Sequence, residues 1–398
     1  MAGATLTTID AILKEYYLPP VIEQFNNEVL LLSRIETDSE SLVGRLAVVP
    51  IHLQRSGGIG PARELGNLPA AGNQGYAKAT YDLKFLYGRG QVSGPSVSKS
   101  ASDAGAFLRV LKAEIDFLRN DLRRDVARMV YGNDDGVVST AASLAGQVIT
   151  LQTDEALRHG WLYVNMVIDV FQGSSTTVRQ AGLVISAVTL ATPSITVVGT
   201  TTGIVNNDQI VRAGSRDASG HVGIAGIDAL IGTTTFGNLN PATAGNEEWA
   251  SLVDSSGGAL AIDKMIQLYN QIRVKAGEGP KALYTTFGLQ RRYFNLLQAQ
   301  VQYVEPMKIE GGFRYVAFND LPLIGDVDAP FGKIFFPDES AIKLFSNMDW
   351  KFLDEDGHAL KWVIGKDAWE FALARYMQIG ANRRNSSGKM TGLTDTGF

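Results

Sequence analysis

The chain has 398 residues, a formal net charge of −5 and no cysteine. The lack of cysteine excludes disulfides, thiolate metal sites and cysteine nucleophiles, and 45% hydrophobic against 19% charged residues excludes wholesale disorder. The acidic balance, without any dense run of lysine and arginine, argues against specific nucleic-acid binding. Residues 1–13 lack the basic and apolar regions of a signal peptide, so we expect a cytosolic product.

The first 35 residues predict a small amphipathic arm. Pro19–Pro20 divides the arm into two short helices. Apolar residues of the second helix recur at spacings of three and four, at Ile22, Phe25, Val29 and Leu32. An apolar face of this size cannot form a core of its own, so we expect it to dock elsewhere on the chain or on a neighbouring copy.

Residues 42–97 predict a long two-stranded hairpin. Leu46–Leu53 and Ala79–Val92 have strand-like composition, and a loop rich in glycine and proline separates them. A lone hairpin is marginally stable in water, so a protruding one is expected to lie on a partner subunit. We therefore predict intersubunit contacts at seven residues of the arm and the loop: Ile22, Phe25, Val29, Arg55, Arg63, Glu64 and Leu65.

Residues 102–131 predict a single long helix. Its apolar residues keep an uninterrupted spacing of three and four from Ala104 to Met129, and the opposite face carries acid-to-base pairs such as Asp116–Arg119 and Asp125–Arg128. Ser102 is a suitable N-cap. About 28 helical residues span roughly 42 Å, which makes this helix the spine of an extended unit.

Residues 137–235 form a block rich in Thr, Val, Gly and Ser. Strand-like runs at Trp161–Phe171, Leu183–Leu190, Ile195–Gly199 and Gln209–Arg212 alternate with turn residues. We interpret the block as a small antiparallel β-barrel or sandwich inserted into a larger fold.

The remaining chain alternates between helices and strands. Helices are predicted at Leu260–Val274, with Ile262, Met265, Ile266, Tyr269 and Ile272 facing inward, and at Leu289–Gln300. The predicted strands lie at Ala282–Phe287, Ile334–Phe336, Ile342–Phe345 and Trp369–Ile379. A hairpin is predicted to turn at 354–357, and the tail from residue 382 is predicted to be loosely held. The fold class is therefore α+β.

A search for chemistry finds only weak motifs. The glycine clusters at 57–60 and 88–90 match no phosphate-binding pattern. Acidic residues at 247–248 and 354–356 suit a helix start and a turn, and no G-x-S-x-G motif occurs. The four histidines form no H-x-x-x-H pair. Aromatic residues between 284 and 331 are expected in the core. We predict no catalytic, cofactor or metal site and no enzyme activity.

The order of these parts resembles the major capsid proteins of tailed bacteriophages with the Hong Kong 97-type fold. The segment 246–249 up to Leu260 resembles the stretch before the first A-domain helix of such proteins. Residues 311–313 followed by 319–323, and the segment 350–357, are also similar to theirs.

This resemblance implies a domain organisation and a set of partners. It implies an N-terminal arm at 1–47, an extended E-loop at 48–97, a P-domain spine helix at 98–136, an inserted β-rich domain at 137–230, an A-domain at 231–345, and returning strands with a tail at 346–398. Copies would assemble as pentamers and hexamers into an icosahedral shell around double-stranded DNA, without cofactor. Scaffold, portal or cement proteins would be further partners. The protein would be made in the bacterial cytoplasm and located in the virion.

Three alternatives remain open from the residues. An encapsulin-like nanocompartment has the same fold with a protein cargo. A β-rich tail component or adhesin would explain the Thr/Gly/Val block and leaves the spine helix unexplained. A glycosidase would use Asp354, Glu355 or Asp356 as its carboxylates.

Overall fold

The computed structural model describes residues 30–39, 41–44, 46–64, 66–94, 104–299, 307–308, 314–354 and 359–395. These residues form a mixed α+β fold, as predicted. The α-helices are α1 Leu30–Arg34, α2 Ala104–Val130, α3 Glu155–Arg158, α4 Ile227–Leu230, α5 Ile262–Ala276 and α6 Phe287–Ala299. A short 3-10 helix spans Glu247–Trp249.

The strands are numbered in chain order. The first thirteen are β1 Glu36–Asp38, β2 Leu42–Val43, β3 Leu46–Gln54, β4 Gly75–Asp82, β5 Lys84–Ser93, β6 Val137–Ala145, β7 Val148–Leu151, β8 Val167–Phe171, β9 Val178–Thr189, β10 Ser194–Val198, β11 Gln209–Arg212, β12 Arg216–Asp217 and β13 Gly220–His221. The last ten are β14 Leu252–Asp254, β15 Leu283–Thr285, β16 Met307–Lys308, β17 Arg314–Phe318, β18 Leu321–Gly325, β19 Ile334–Phe336, β20 Ile342–Phe352, β21 Lys361–Trp362, β22 Ala368–Ala381 and β23 Gly388–Met390.

The spine helix α2 packs against a five-stranded sheet. In this sheet β22 pairs with β20, β21 and β5, and β1 adds to β20 in parallel. Ile115, Val126 and Met129 of α2 are buried in the core that α2 shares with the sheet. Two of the predicted pairs on its other face, Asp116–Arg119 and Asp125–Arg128, form ion pairs with N–O distances of 3.2 Å.

Close packing of α2 on the sheet depends on Gly88 of β5. A Cβ atom added there would lie 2.5 Å from Cδ1 of Leu122 and 2.9 Å from its Cγ. We expect Gly88→Val to push α2 away and lower the free energy of unfolding by about 1–3 kcal/mol. Leu122→Ala in the same chain should restore part of that loss, as measured by denaturant midpoints.

The matched control for this packing prediction is Gly57, where an added Cβ would meet nothing within 4 Å. We expect Gly57→Val to leave the midpoint unchanged. Equal midpoints for Gly88→Val and the unmodified chain would contradict the packing explanation.

A seven-stranded sheet carries the second half of the body. Its order is β14-β23-β19-β15-β18-β17-β16. Helices α5 and α6 bury Met265, Ile272, Leu289 and Tyr293 in the core on this sheet. Gly277 ends α5 with φ +76°, the left-handed conformation that favours glycine at a helix C-terminus.

A closed barrel occupies residues 137–212. Its strand order is β10-β7-β6-β11-β8-β9, and these neighbouring strands pair in antiparallel fashion. The barrel has its own apolar core, which runs from Val138 to Ile210. Among the described residues, neither core of the body contains any residue between 138 and 210. The barrel is therefore a separately packed unit.

The structure corrects several predicted elements. The predicted strand Ala79–Val92 is two strands, because β4 pairs with β3 whereas β5 belongs to the body and pairs with β22. The predicted pairing of the strands on either side of 354–357 is not found among the described strand pairs, because β20 and β21 pair with successive parts of the same side of β22, opposite β5.

Other differences concern burial and element boundaries. Ile266 is 44% exposed instead of inward-facing. The tail is not loosely held up to residue 395, because β23 lies between β14 and β19. Strands β6 and β7 were not predicted, and residues 161–166, predicted as strand, lie outside β8. The proposed N-cap Ser102 lies outside the described residues.

Candidate functional site

The hairpin of β3 and β4 is fixed to the body at its base. Ala47, Ala79 and Tyr81 are buried there. The Tyr81 ring stacks on Phe345 with centroids 5.4 Å apart, and its hydroxyl donates to the carbonyl of Ala381 at 2.8 Å. Burial raises the pKa of Tyr81 to about 12 despite that hydrogen bond. The base of the hairpin is therefore packed firmly against the body.

The far end of the hairpin is exposed. Beyond Gln54 and Gly75 the chain forms a loop, and its apolar residues Ile59 and Leu68 are 83% and 85% exposed. We call residues 55–74 the hairpin tip, and most of its described residues, 55–64 and 66–74, are exposed. Two highly exposed apolar side chains on one projecting loop make the hairpin tip a candidate surface for contact with another molecule.

The predicted contact residues fall into two groups. Arg55, Arg63 and Glu64 are all exposed on the hairpin tip. The remaining four, Ile22, Phe25, Val29 and Leu65, lie outside the described residues. Their contacts with a neighbouring copy stay predictions. Sequence reasoning missed Ile59 and Leu68, because single apolar residues in a loop are common on protein surfaces and give no distinct signal in the sequence.

A second exposed apolar surface lies on the five-stranded sheet. Phe85 and Tyr87 of β5 are 51% and 56% exposed, and both contact the ring of Tyr376 on β22, with centroids 4.9 and 6.2 Å away. A hydrogen bond with Tyr376 raises the pKa of Tyr87. Leu86 and Val92, which alternate with these residues, are buried. This aromatic stripe, Phe85, Tyr87 and Tyr376, is a second candidate contact surface that sequence reasoning missed.

Buried charges mainly connect segments of the chain. Arg34 of α1 donates two hydrogen bonds to Glu339 at 2.7 and 2.8 Å, and the Tyr284 hydroxyl also donates to Glu339. Burial and Glu339 together raise the pKa of Tyr284 well above its ordinary value. This cluster attaches the start of the described chain to the seven-stranded sheet.

A second buried cluster joins α4 to that sheet. Asp228 accepts from Lys333 at 2.7 Å and from Lys389 at 2.6 Å. Burial alone would raise the pKa of Asp228, but the two ammonium groups outweigh it and the pKa lies below its ordinary value. All three side chains are therefore committed to structural ion pairs.

Among the described residues, the carboxylates considered for catalysis do not assemble into a site. Glu247 and Glu248 are exposed at the short 3-10 helix, where backbone N–H groups lower the pKa of Glu247. Of the acidic turn, Asp354 is described whereas Glu355 and Asp356 are not. Among the described residues no group of three or more His, Asp or Glu side chains is placed to bind a metal ion. None of the described helices is long and apolar enough to cross a membrane.

Comparisons with known proteins give likeness at the level of structure. No family model and no curated protein matches the sequence. A chain of the cyanophage A-1(L) capsid asymmetric unit matches 92% of this chain and 93% of its own length, with a TM-score of 0.58 at 13% identity.

Two further solved structures are more distant. A chain from the capsid of a native GTA particle covers 92% of this chain and 91% of its own, with TM-score 0.45 and 11% identity. One from the holo-SrpI encapsulin complex of Synechococcus elongatus PCC 7942 covers 92% and 88%, with TM-score 0.45 and 10% identity. At such low TM-scores neither likeness supports a conclusion about this chain. The cyanophage likeness shows the fold alone: this chain has the mixed α+β fold of a phage capsid chain.

Proposed function

We propose that the chain is the major capsid protein of a tailed bacteriophage, which self-assembles into an icosahedral shell. The observation that carries this proposal is the hairpin tip, which projects from a rigid base and leaves Ile59 and Leu68 exposed. Burying such a surface requires a neighbouring molecule. In a shell that neighbour is another copy of the same chain, so the same surface forms the equivalent contact in every copy.

The capsid-type fold supports the same function. The likeness to the cyanophage chain extends over 92% of the sequence. In the proposed organisation the E-loop corresponds to β3, the tip and β4, and β5 belongs to the P-domain. The barrel is an insertion between the spine helix and the A-domain.

The partners follow from this proposal. Copies form pentamers and hexamers that enclose double-stranded DNA without reading its sequence, which is consistent with a net charge of −5. The hairpin tip, the aromatic stripe and the arm supply the contacts, in interfaces on the order of 2,000 Å² each. Scaffold, portal and cement proteins are further expected partners, and the assembled protein resides in the virion.

Electron microscopy of the purified chain, with mass photometry beside it, tests the proposal. We expect closed shells, or pentamers and hexamers when a scaffold is required. A chain that forms only compact dimers or trimers would contradict a shell and favour the tail or adhesin class. Shells purified from the native source are expected to contain double-stranded DNA, whereas a single protein cargo would identify a nanocompartment.

A further inference from the structure

The barrel is joined to the rest of the molecule by a polar seam instead of a shared apolar core. Its core residues are all its own among the described residues. The barrel–body seam comprises Glu155, His159, Trp161 and Arg212 on the barrel, and residues 326–331 and Asp125 on the body. A shared apolar core would hold the barrel and the body in one arrangement, whereas contacts between ionisable groups change in strength with pH.

Specific contacts join the two sides of the seam. The backbone N–H of Phe331 donates to Oε1 of Glu155 at 2.9 Å. The His159 ring contacts both Trp161 and Phe331, with centroids 4.5 and 5.1 Å away. Arg212 bonds Asp125 of α2 at 3.1 Å. The seam therefore combines an aromatic stack, an ion pair and a hydrogen bond to a carboxylate.

Open space flanks these contacts on two sides. One cleft of about 300 Å³ lies between α2 and the barrel, lined by residues such as Arg124, Trp161 and Arg212. Another of about 300 Å³ extends from Tyr131 at the end of α2 to Ser139 and Lys333. Ser139 is buried, and its hydroxyl has no hydrogen-bond partner among the described residues. The barrel–body seam is therefore flanked by open space on two sides.

Ionisable groups concentrate in the seam. Burial and the carboxylate of Asp326 raise the pKa of Asp328 to about 6, although Trp161, Arg123 and Arg124 oppose the shift. Burial lowers the pKa of His159, and the Val327 carbonyl, Asp326 and Asp395 only partly offset it. Burial also raises the pKa of Glu155. The Phe331 N–H and Lys333 oppose this shift, whereas Asp395 and Asp154 add to it.

We propose that the barrel is a movable unit whose seating on the body is linked to proton binding, with Asp328 tightening the seam on acidification and His159 loosening it. Neither residue needs the shell for this effect, so the inference is independent of the proposed function. Protons are the only ligand required, because the His159 ring contacts Phe331 across the seam and Asp328 belongs to the same body segment, residues 326–331.

The direction of each effect follows from linkage. A carboxyl group whose pKa is raised in the seated state stabilises seating at low pH, and this contribution is lost as pH rises through about 6. A histidine whose pKa is lowered in the seated state opposes seating as pH falls through 6.5, its ordinary value. The two residues therefore give pH responses of opposite sign in the same range.

Hydrogen–deuterium exchange of the purified full chain separates the two responses. Two variants, Asp328→Asn and His159→Phe, are each made in a chain that already carries Glu155→Gln. The glutamine amide oxygen can still accept a hydrogen bond from the Phe331 N–H, and the substitution removes the third titrating group. With Asp328→Asn, protection of residues 326–334 is expected to fall several-fold between pH 7.5 and 5.5. With His159→Phe, it is expected to rise by about fourfold over the same range.

Internal controls come from the same experiment. Exchange is corrected for its intrinsic pH dependence, and peptides covering β8 and β22 should show constant protection, because they report on the barrel core and the body sheet. Protection that changes in the same direction in both variants, or in neither, would overturn the proposal. If the chain forms no shells but protection changes with pH in opposite directions in the two variants, only the proposed function is contradicted.

Discussion

Replacing residues 55–74 by Asn-Gly is expected to abolish shell assembly while the chain stays folded. The two new residues suit a tight turn between β3 and β4, so the paired strands and their buried base are kept. Only the hairpin tip is lost, and with it Ile59, Leu68 and four predicted contacts: Arg55, Arg63, Glu64 and Leu65. Circular dichroism and thermal unfolding check the fold, and electron microscopy with mass photometry checks assembly.

Point variants sharpen this test of the hairpin tip. Ile59→Asp and Leu68→Asp each place a charge where an apolar contact is expected, and burying an unpaired charge costs several kcal/mol. We expect the yield of shells to fall by at least about tenfold for each. Leu190→Asp is the control, since Leu190 is 49% exposed in the turn between two barrel strands. Normal shells from all three variants would remove the main support for the proposed function.

Arg384→Met is expected to lower stability far more than a substitution of any exposed arginine. Arg384 is fully buried and donates to the carbonyls of Leu230, Gly232 and Thr234 at 2.7, 2.9 and 3.0 Å. Burial lowers its pKa to about 10, so it remains charged at neutral pH. Methionine fills much of the volume but leaves these buried acceptors unpaired, at a cost of about 3–5 kcal/mol.

The neighbouring arginine provides the control for this experiment. Arg383 pairs with Glu278 at 3.1 Å, and both side chains are largely exposed. Exposed ion pairs contribute about 0–1 kcal/mol, so Arg383→Met should change the urea midpoint little. Arg384→Lys should fall between the two, because a single ammonium group replaces a fork of donors. Equal midpoints for Arg383→Met and Arg384→Met would contradict this role of Arg384.

Elements with a strong local pattern were predictable from the sequence. The spine helix α2 was predicted within two residues at each end, because its apolar spacing is long and unbroken. The β-rich block was predicted, since turn residues and β-branched residues alternate there. The capsid-type fold followed from the order of the parts, and the cyanophage likeness confirms it at the level of the fold.

Features that depend on distant partners were not predictable. Nothing local separates β4 from β5 except Leu83, yet they pair with strands from opposite ends of the chain. The tail looks polar and loose, but Arg384 and Lys389 are held by residues more than 150 positions away. The exposed Phe85 and Tyr87 resemble ordinary strand residues, because the sequence alone does not tell which face of a sheet is covered.

The position of β22 and β23 near the end of the chain has a consequence for synthesis. β22 joins β5, β20 and β21, and β23 fills the gap between β14 and β19. The two body sheets cannot be completed on the ribosome until β22 and β23 have emerged, whereas the barrel can close about 170 residues earlier, because domains fold as units during synthesis. The base of the hairpin also needs Ala381 to bond Tyr81. A nascent chain therefore cannot present a finished hairpin base before β22 has been made.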